Sequence, residues 1–216
     1  MRVRTRRIVA AAVVASLALF AAWAWGVAEP GQGPVETAAE QQIEAVRDTI
    51  VDALWVKTDE YWHGRDPREQ LSATIAEPVL DICRMIVELA PHYVEAYSVA
   101  AWLSLGQGND KQALDFYKQG IERNPDDYEL PHELGLQYYL LRKHDPKGAL
   151  PYLKQAAELP SPIPVKRTYA HALARAGRYQ EAAAQWRKIL KRNPGDPIAI
   201  KELAKLRASG KIGKEQ

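Results

Sequence analysis

Three polar side chains in the last third of the chain have the spacing needed to act together on an anionic ligand. Arg167, His171 and Arg175 are four residues apart, so in a helix they lie along one face and form a basic ridge. A guanidinium group can bind a carboxylate through two parallel hydrogen bonds, so this ridge could hold the carboxylate of a bound peptide. The same pattern is typical of an ordinary solvated helix face, and the sequence leaves both interpretations open.

The other reactive side chains do not form a catalytic or metal-binding motif. The sequence contains no Gly-rich phosphate loop after a strand, no HExxH or paired-cysteine spacing, and no serine in a nucleophile-elbow context. Its five histidines are scattered, and a pair such as His132 and His171 would supply only two metal ligands. We therefore expect no enzyme activity, no cofactor and no metal.

The elements that position these residues are predicted to be helices with marked beginnings and ends. Asp66-Pro67, Asp145-Pro146 and Asp196-Pro197 each place an N-cap carboxylate before a proline at the first helical position. Asn124-Pro125 and Asn193-Pro194 each follow a basic last turn and end a helix, because proline restricts the residue before it. The two ends are 69 residues apart, and half of that distance gives a period of 34 or 35 residues.

Small and large residues recur at the same period. The small residues are Ala101, Gly135 and Ala170, and then Ala113, Ala149 and Ala182; the large residues are Tyr117, Leu153 and Trp186. Two antiparallel helices approach closely only where small residues face each other, and the large residues then fill the gap to the next helix. This pattern resembles the tetratricopeptide repeat (TPR) family, whose unit is a helix pair of roughly 34 residues.

The resemblance implies an all-α fold, a TPR superhelix of three clear repeats behind a single N-terminal transmembrane helix. A degenerate repeat is expected before them, with helices at 43–63 and 79–89, a helical insertion at 66–77, and a kink or break at Pro78. The middle repeat carries about two extra residues in its turn at 142–147 and ends in a stiff extended link at 159–164.

The chain is expected to end in a capping helix at 196–208, which covers the exposed end of the stack. Its apolar side is predicted to consist of Ile198, Ile200, Leu203 and Leu206, and the tail after Ser209 is expected to be frayed.

In the TPR family the first helix of each unit builds a concave face that commonly binds a peptide. The resemblance therefore implies a partner-binding face on three helices. Its predicted residues are Glu95, Ser98, Trp102 and Leu105, then His132, Leu136, Tyr139 and Leu140, and then Arg167, His171 and Arg175. Trp102, Leu136 and Tyr139 would hold an apolar side chain of the ligand and the arginines its carboxylate, whereas the alternative is that Trp102 packs against a neighbouring helix.

The N-terminal segment predicts a membrane anchor. Residues 8–28 carry no charge and as a helix would span about 31 Å, close to the thickness of the hydrocarbon layer. Gly26-Val27-Ala28 also fits a signal-peptidase site, so a protein secreted after cleavage near Ala28 is the alternative. Either way the arginines before residue 8 stay in the cytoplasm, and the C-terminal part is placed in the periplasm or another extracytoplasmic compartment.

Charge and composition divide the chain further. The formal net charge of +2 combines four arginines in the first seven residues with a net charge of −2 from residue 29 onwards, which gives no indication of nucleic-acid binding. The predicted boundaries are a cytoplasmic start at 1–7, the membrane segment at 8–28, a linker at 29–42, the TPR domain at 43–209 and a tail at 210–216.

Two single features have alternative interpretations. Cys83 lies on an apolar helical stripe with Leu80 and Val87, which predicts a buried thiol, with an intermolecular disulfide as the alternative. The aromatic cluster Tyr61-Trp62-His63 is expected to fill the core, with an exposed docking site as the alternative.

Together these features predict a membrane-anchored scaffold that binds a partner protein or peptide through the concave TPR face. The alternative is a fixed structural subunit of a membrane complex, whose anchor packs against other membrane helices through the small residues of its apolar segment.

Overall fold

The structure, a computed structural model, describes residues 34–62, 72–141 and 144–213. The predicted membrane segment at 8–28 lies outside these ranges. No helix within them is sufficiently long and apolar to cross a membrane.

The chain divides into two compact units, residues 1–50 and 51–216. The described part of the first unit is the beginning of helix α1 (Pro34–Trp62), which continues into the second unit. The helix begins at Pro34, within the segment predicted to be a linker, because the sequence after Pro34 is rich in the good helix formers Ala, Glu and Gln. In this part of α1, Ile43 and Val46 expose 68% and 60% of their surface.

The described residues of the second unit contain eight further α-helices and no strand. They are α2 (Ala73–Leu89), α3 (Val94–Gly106), α4 (Asp110–Arg123), α5 (Glu129–Leu136), α6 (Pro146–Glu158), α7 (Ile163–Arg175), α8 (Tyr179–Arg192) and α9 (Pro197–Ala208). From α2 onwards each helix packs against the next one in the chain, and α3 also contacts α5. The all-α helix-pair architecture is therefore confirmed.

The repeated small and large residues form the interior of the second unit. The large residues Tyr117, Leu153 and Trp186 are all buried, as are the alanines at the small positions. Two core clusters result, one built from α1 to α5 and one from the end of α5 to α9. The periodic pattern thus predicted correctly which side chains pack between helices.

The predicted helix ends are also confirmed where the structure describes them. Asp145 and Asp196 accept backbone N–H bonds at the start of α6 and α9, and Asn124 and Asn193 are the C-caps of α4 and α8. Lys166 donates to the carbonyl of Ala157 at 2.8 Å and so closes the C-terminal end of α6. The backbone between α6 and α7 is extended, as its prolines predict.

Three local predictions were wrong. Helix α2 runs through Pro78 without the break that was one of the two predicted outcomes, and the proline removes one backbone hydrogen bond of its second turn. In α9 the buried side is Ala199, Leu203 and Leu206, while Ile198 and Ile200 are 38% and 51% exposed. Ile198 and Ile200 flank the buried Ala199, and one step along a helix turns by about 100°, so they lie on either side of the buried face.

The third correction concerns the tail after Ser209. Ile212 is buried and belongs to the second core cluster, and the Lys211 ammonium lies 4.2 Å from the centre of the Tyr179 ring. Gly210 adopts a positive φ of 67° after α9, and Lys211 then donates its N–H to the carbonyl of Leu206. This C-terminal cap turns the chain back onto the core.

The two single features fall partly within the described residues. Cys83 is a buried free cysteine, as predicted, and burial raises the pKa of its thiol to about 12. From the aromatic cluster, Tyr61 is partly buried against the first core cluster, whereas His63 lies outside the described residues.

Candidate functional site

A cavity of about 380 Å³ lies between helices α3 and α5. The residues that line it are Ser98, Val99, Trp102, Tyr117, Glu133, Leu136 and Gln137. Three of them, Ser98, Trp102 and Leu136, belong to the partner-binding face that the sequence predicts. Helix α3 contacts both α4 and α5, so side chains from the three helices line one common space.

Trp102 forms the most exposed wall of this cavity. Its neighbours in sequence, Ala101 and Leu103, are fully buried, while Trp102 itself is 41% exposed. The core positions of α3 are therefore already filled by smaller residues, and the indole ring stays at the surface. A half-exposed tryptophan in a concave site is a favourable anchor for a ligand, since such residues dominate binding energies.

Glu133 is the ionisable residue in the cavity wall. Burial raises the pKa of its carboxyl group above the usual range, and the nearby acidic residues Glu129 and Asp127 raise it further. The hydroxyl groups of Ser98 and Tyr117 donate hydrogen bonds to this carboxylate and partly oppose that shift. The three side chains therefore form a polar group inside a mainly apolar wall.

Tyr117 also borders a second cavity of about 280 Å³. This cavity is lined mainly by apolar side chains, among them Leu105, Leu114, Leu134 and Tyr138. Gln137 and Tyr117 line both cavities. Burial is the main reason that the pKa of the Tyr117 hydroxyl is raised, and its hydrogen bond to Gln137 acts in the opposite direction.

Helix α5 does not end as a regular α-helix but continues in a π-helical turn, Gln137–Leu141. The turn lies directly before the connection in which the sequence predicts extra residues. Within it Tyr139 is buried and Leu140 is 40% exposed. Such turns are rare and are found often at functional sites, and this one contributes Gln137 to both cavities.

The remaining predicted residues of the first two repeats lie outside the 380 Å³ cavity. Glu95 is exposed in the first turn of α3, and Leu105 lines the second cavity. His132 is half-buried with its Nε2 atom 3.5 Å from Thr168 Oγ1, and burial lowers its pKa. His132 thus faces α7 and not the ligand cavity.

The basic ridge on α7 has the predicted spacing, but its members contact protein groups. Arg167 forms an ion pair with Asp196, whose side chain is fully buried. The guanidinium group of Arg175 lies 5.2 Å from the centre of the Tyr139 ring, and the His171 ring packs edge-on against Trp186 at 4.8 Å. These contacts connect α7 with α5, α8 and the start of α9.

Sequence reasoning missed Tyr117, Glu133 and Gln137 as cavity residues. The signal for Glu133 was available, since it lies three residues before the predicted Leu136 and so on the same helix face. Tyr117 was predicted only as a packing residue, and its hydroxyl group was the overlooked part. Gln137 lies four residues after Glu133, so the same helix-face spacing would have placed it beside Glu133.

No three His, Cys, Asp or Glu side chains within the described residues converge as metal ligands. His132 and His171 instead contact Thr168 and Trp186.

Comparison with known proteins identifies the type of repeat. Residues 163–206, which contain α7, α8 and most of α9, match the family described as Tetratricopeptide repeat. No curated protein matches the sequence.

Several solved structures have a similar arrangement of helices. A Pseudomonas aeruginosa structure described as pilF is 17% identical with a TM-score of 0.51, and the match covers 76% of this chain and 70% of that one. YrrB, described as a TPR protein with an unusual peptide-binding site, is 25% identical with a TM-score of 0.48, covering 65% and 72%. A Thermus thermophilus structure, described as a thermophilic TPR protein, is 25% identical with a TM-score of 0.44, covering 79% and 93%.

The pilF similarity supports the fold alone, and the repeat match concerns residues 163–206. The match lies on the helix pair in which Ala170, Ala182 and Trp186 occupy the predicted packing positions. The remaining helix pairs share its architecture. The described residues therefore form an all-α, TPR-like fold, and residues 163–206 match the tetratricopeptide repeat family.

Proposed function

We propose that this protein is an interaction scaffold that binds an extended segment of a partner polypeptide in the groove between α3 and α5. The observation that carries the proposal is the 380 Å³ cavity, in which a half-exposed Trp102 faces a polar group centred on Glu133. The cavity is mostly apolar with a few polar groups at fixed positions, as is typical of ligand sites.

The second cavity supports an extended ligand. The two cavities adjoin at Tyr117 and Gln137, which line both of them. Alternate side chains of an extended peptide point to the same side, so two such side chains can enter two neighbouring cavities. The side-chain amide of Gln137, which lines both cavities, can then form hydrogen bonds with the intervening backbone.

We also propose that residues 8–28 anchor this scaffold in the cytoplasmic membrane and place the repeats outside the cytoplasm. The uncharged segment and the four preceding arginines support this topology. A fusion of alkaline phosphatase after Gln216 tests it, because that enzyme folds to its active form only in an oxidising compartment. An inactive fusion that is fully expressed would contradict the proposed topology.

Peptide binding is tested with purified full-length protein and an array of synthetic peptides of varied sequence. Bound peptides are then measured in solution against the wild type, Trp102→Ala and Met85→Ala. Met85 is a matched control, because it is 52% exposed on α2 and does not line either cavity.

The proposal predicts that Trp102→Ala weakens binding by roughly tenfold or more, the effect expected of a central aromatic anchor. Met85→Ala should leave the affinity unchanged. If no peptide binds, or if both variants bind as the wild type does, the groove is not a peptide site.

A structural subunit remains the second candidate because of one observation. Ile43, Val46 and Ile50 on α1 are each more than 40% exposed, and they recur at three- and four-residue steps. An apolar stripe of this kind would be covered by a permanent partner helix. Purification of the detergent-solubilised full chain distinguishes the two roles, since a fixed subunit is recovered with companions in constant ratio and a scaffold is recovered alone.

A further inference from the structure

We propose that the 380 Å³ cavity selects a lysine or arginine side chain of the bound polypeptide. The cation would lie beside the Glu133 carboxylate, and its hydrocarbon stem would lie along Trp102, Val99 and Leu136. This inference rests on the proposed peptide-binding function and names the ligand chemistry of the same groove.

The charge of the cavity wall supports a cationic ligand. The seven lining residues include one carboxylate, that of Glu133, and no basic side chain. The other charged groups that act on Glu133 are Glu129 and Asp127, and both are acidic. A cation that enters the cavity therefore meets the Glu133 carboxylate, whereas a carboxylate ligand would meet repulsion and lose its hydration.

The hydrogen bonds of Glu133 leave room for a ligand donor. An ionised carboxylate offers about four acceptor positions, and the hydroxyl groups of Ser98 and Tyr117 occupy two of them. These two donors also fix the orientation of the carboxylate within the wall. A lysine ammonium or an arginine guanidinium can supply the remaining N–H donors, and hydrogen bonds of this charged type are the strong ones.

The apolar lining suits the rest of a basic side chain. Lysine and arginine place three or four methylene groups on apolar surface and keep the charged end near polar groups. Val99, Leu136 and the half-exposed Trp102 provide that surface, and the indole ring can also attract the cation. A purely aliphatic ligand would fill the same space but would leave the carboxylate without a counter-charge.

The structure argues against the acidic ligand that the sequence predicts. Arg167 is paired with Asp196 and Arg175 lies on the Tyr139 ring, and neither lines the cavity. The one carboxylate in the wall, that of Glu133, would repel an acidic ligand.

The test uses a peptide selected on the wild-type protein and a series in which each basic residue is replaced in turn by norleucine, which keeps the stem and removes the charge. Dissociation constants are measured for the full-length wild type, Glu133→Gln and Glu129→Gln. Glutamine keeps the shape of Glu133 and its hydrogen-bond acceptor, and Glu129 is a matched exposed glutamate on the same helix.

We expect norleucine at one position to weaken binding to the wild type by roughly tenfold or more, as for a lost hydrogen bond to a charged group. The same replacement should change binding to Glu133→Gln by less than about threefold, because the charge partner is already absent. Glu129→Gln should retain most of the discrimination against norleucine.

If the wild type binds every norleucine peptide as tightly as the parent, the ligand-charge inference is wrong, although peptide binding that depends on Trp102 would still stand. Equal discrimination by the wild type and Glu133→Gln would also overturn it, since the cation would then bind elsewhere. The norleucine series on the wild type decides the question even if Glu133→Gln is poorly folded.

Discussion

Arg167 on α7 is paired with the fully buried carboxylate of Asp196 at the start of α9. The same carboxylate accepts the backbone N–H of Ala199, so one side chain caps α9 and connects it with α7. Both interactions favour the ionised form, and the Arg167 hydrogen bond is the main reason that the pKa of Asp196 is lowered. Arg167 is therefore part of the packing between repeats.

Replacing Arg167 with alanine is expected to destabilise the fold, because it leaves the buried Asp196 carboxylate without its counter-charge. The melting temperature, measured by circular dichroism, should fall by several degrees. Arg175→Ala is the matched control on the same helix, and its loss of a cation–π contact should cost only about 0.5–1 kcal/mol.

The sign of the pH effect gives a second readout for this pair. Since the pKa of Asp196 is lowered from its usual 3.8, the stabilisation is present above pH 3.8 and is lost as the pH falls through the folded-state pKa. The stability gap between the wild type and Arg167→Ala should therefore narrow below pH 3.8. Equal stability of the two proteins at neutral pH would show that the pair contributes nothing.

Gly135 provides a test of the close contact between α5 and α6. A Cβ atom at this position would lie 2.5 Å from Leu153 Cδ2 and 2.6 Å from Leu153 Cγ. We expect Gly135→Ala to destabilise the protein by about 1–3 kcal/mol, the usual cost of overpacking a core. Urea unfolding followed by circular dichroism measures the difference.

Gly195→Ala is the control for this substitution, because a Cβ atom there would meet nothing within 4 Å. Its stability should match that of the wild type within about 0.5 kcal/mol. If Gly135→Ala were as stable as Gly195→Ala, the helices would not be held together as closely as the packing indicates.

The buried core could be predicted from the sequence because it depends on periodic residue types. Gly135 and Ala170 occupy the same small position of successive repeats, and Leu153 and Trp186 the same large position. This period does not depend on which residues lie on the surface. The starts of helices could also be predicted from the sequence, since Asp145 and Asp196, each before a proline, accept hydrogen bonds from nearby backbone N–H groups. Such signals require no knowledge of distant contacts.

The candidate site could be predicted only in part because its chemistry depends on distant contacts. Ser98, Trp102 and Leu136 followed from their positions in the repeat, but Arg167 was expected to bind a ligand. Its pairing with Asp196 joins residues 29 positions apart, and no local pattern marks a pair at that separation. The hydroxyl partners of Glu133 could not be predicted for the same reason, since they lie on α3 and α4.

His171 should make the stability fall as the solution is acidified below neutral pH. Burial is the main cause of its lowered pKa, and Glu202 partly opposes the shift while nearby basic groups add to it. A lowered pKa means that the unfolded state takes up a proton first, near the usual pKa of 6.5, so stability is lost as the pH falls through that value.

Chemical unfolding at pH 7.5 and pH 5.5 measures this slope. His171→Gln should show a smaller loss of stability between the two values than the wild type. Burial also lowers the pKa of His132. The stability of the double variant His132→Gln/His171→Gln should therefore change even less between the two pH values. An unchanged slope in the double variant would contradict the assignment.

Cys83 offers a direct measure of opening of the first core cluster. The thiol is fully buried and its pKa is raised to about 12, because burial disfavours the thiolate. At pH 8 such a thiol is ionised in about one molecule in ten thousand, and only the thiolate reacts with a disulfide reagent. We therefore expect labelling of the folded protein to be slower by more than about a hundredfold than labelling in denaturant. An intermolecular disulfide through Cys83 would then require both an oxidant and local unfolding of α2 in each molecule. Fast labelling without loss of helical signal would mean that the cysteine is accessible in the folded protein, which would contradict its place in the core.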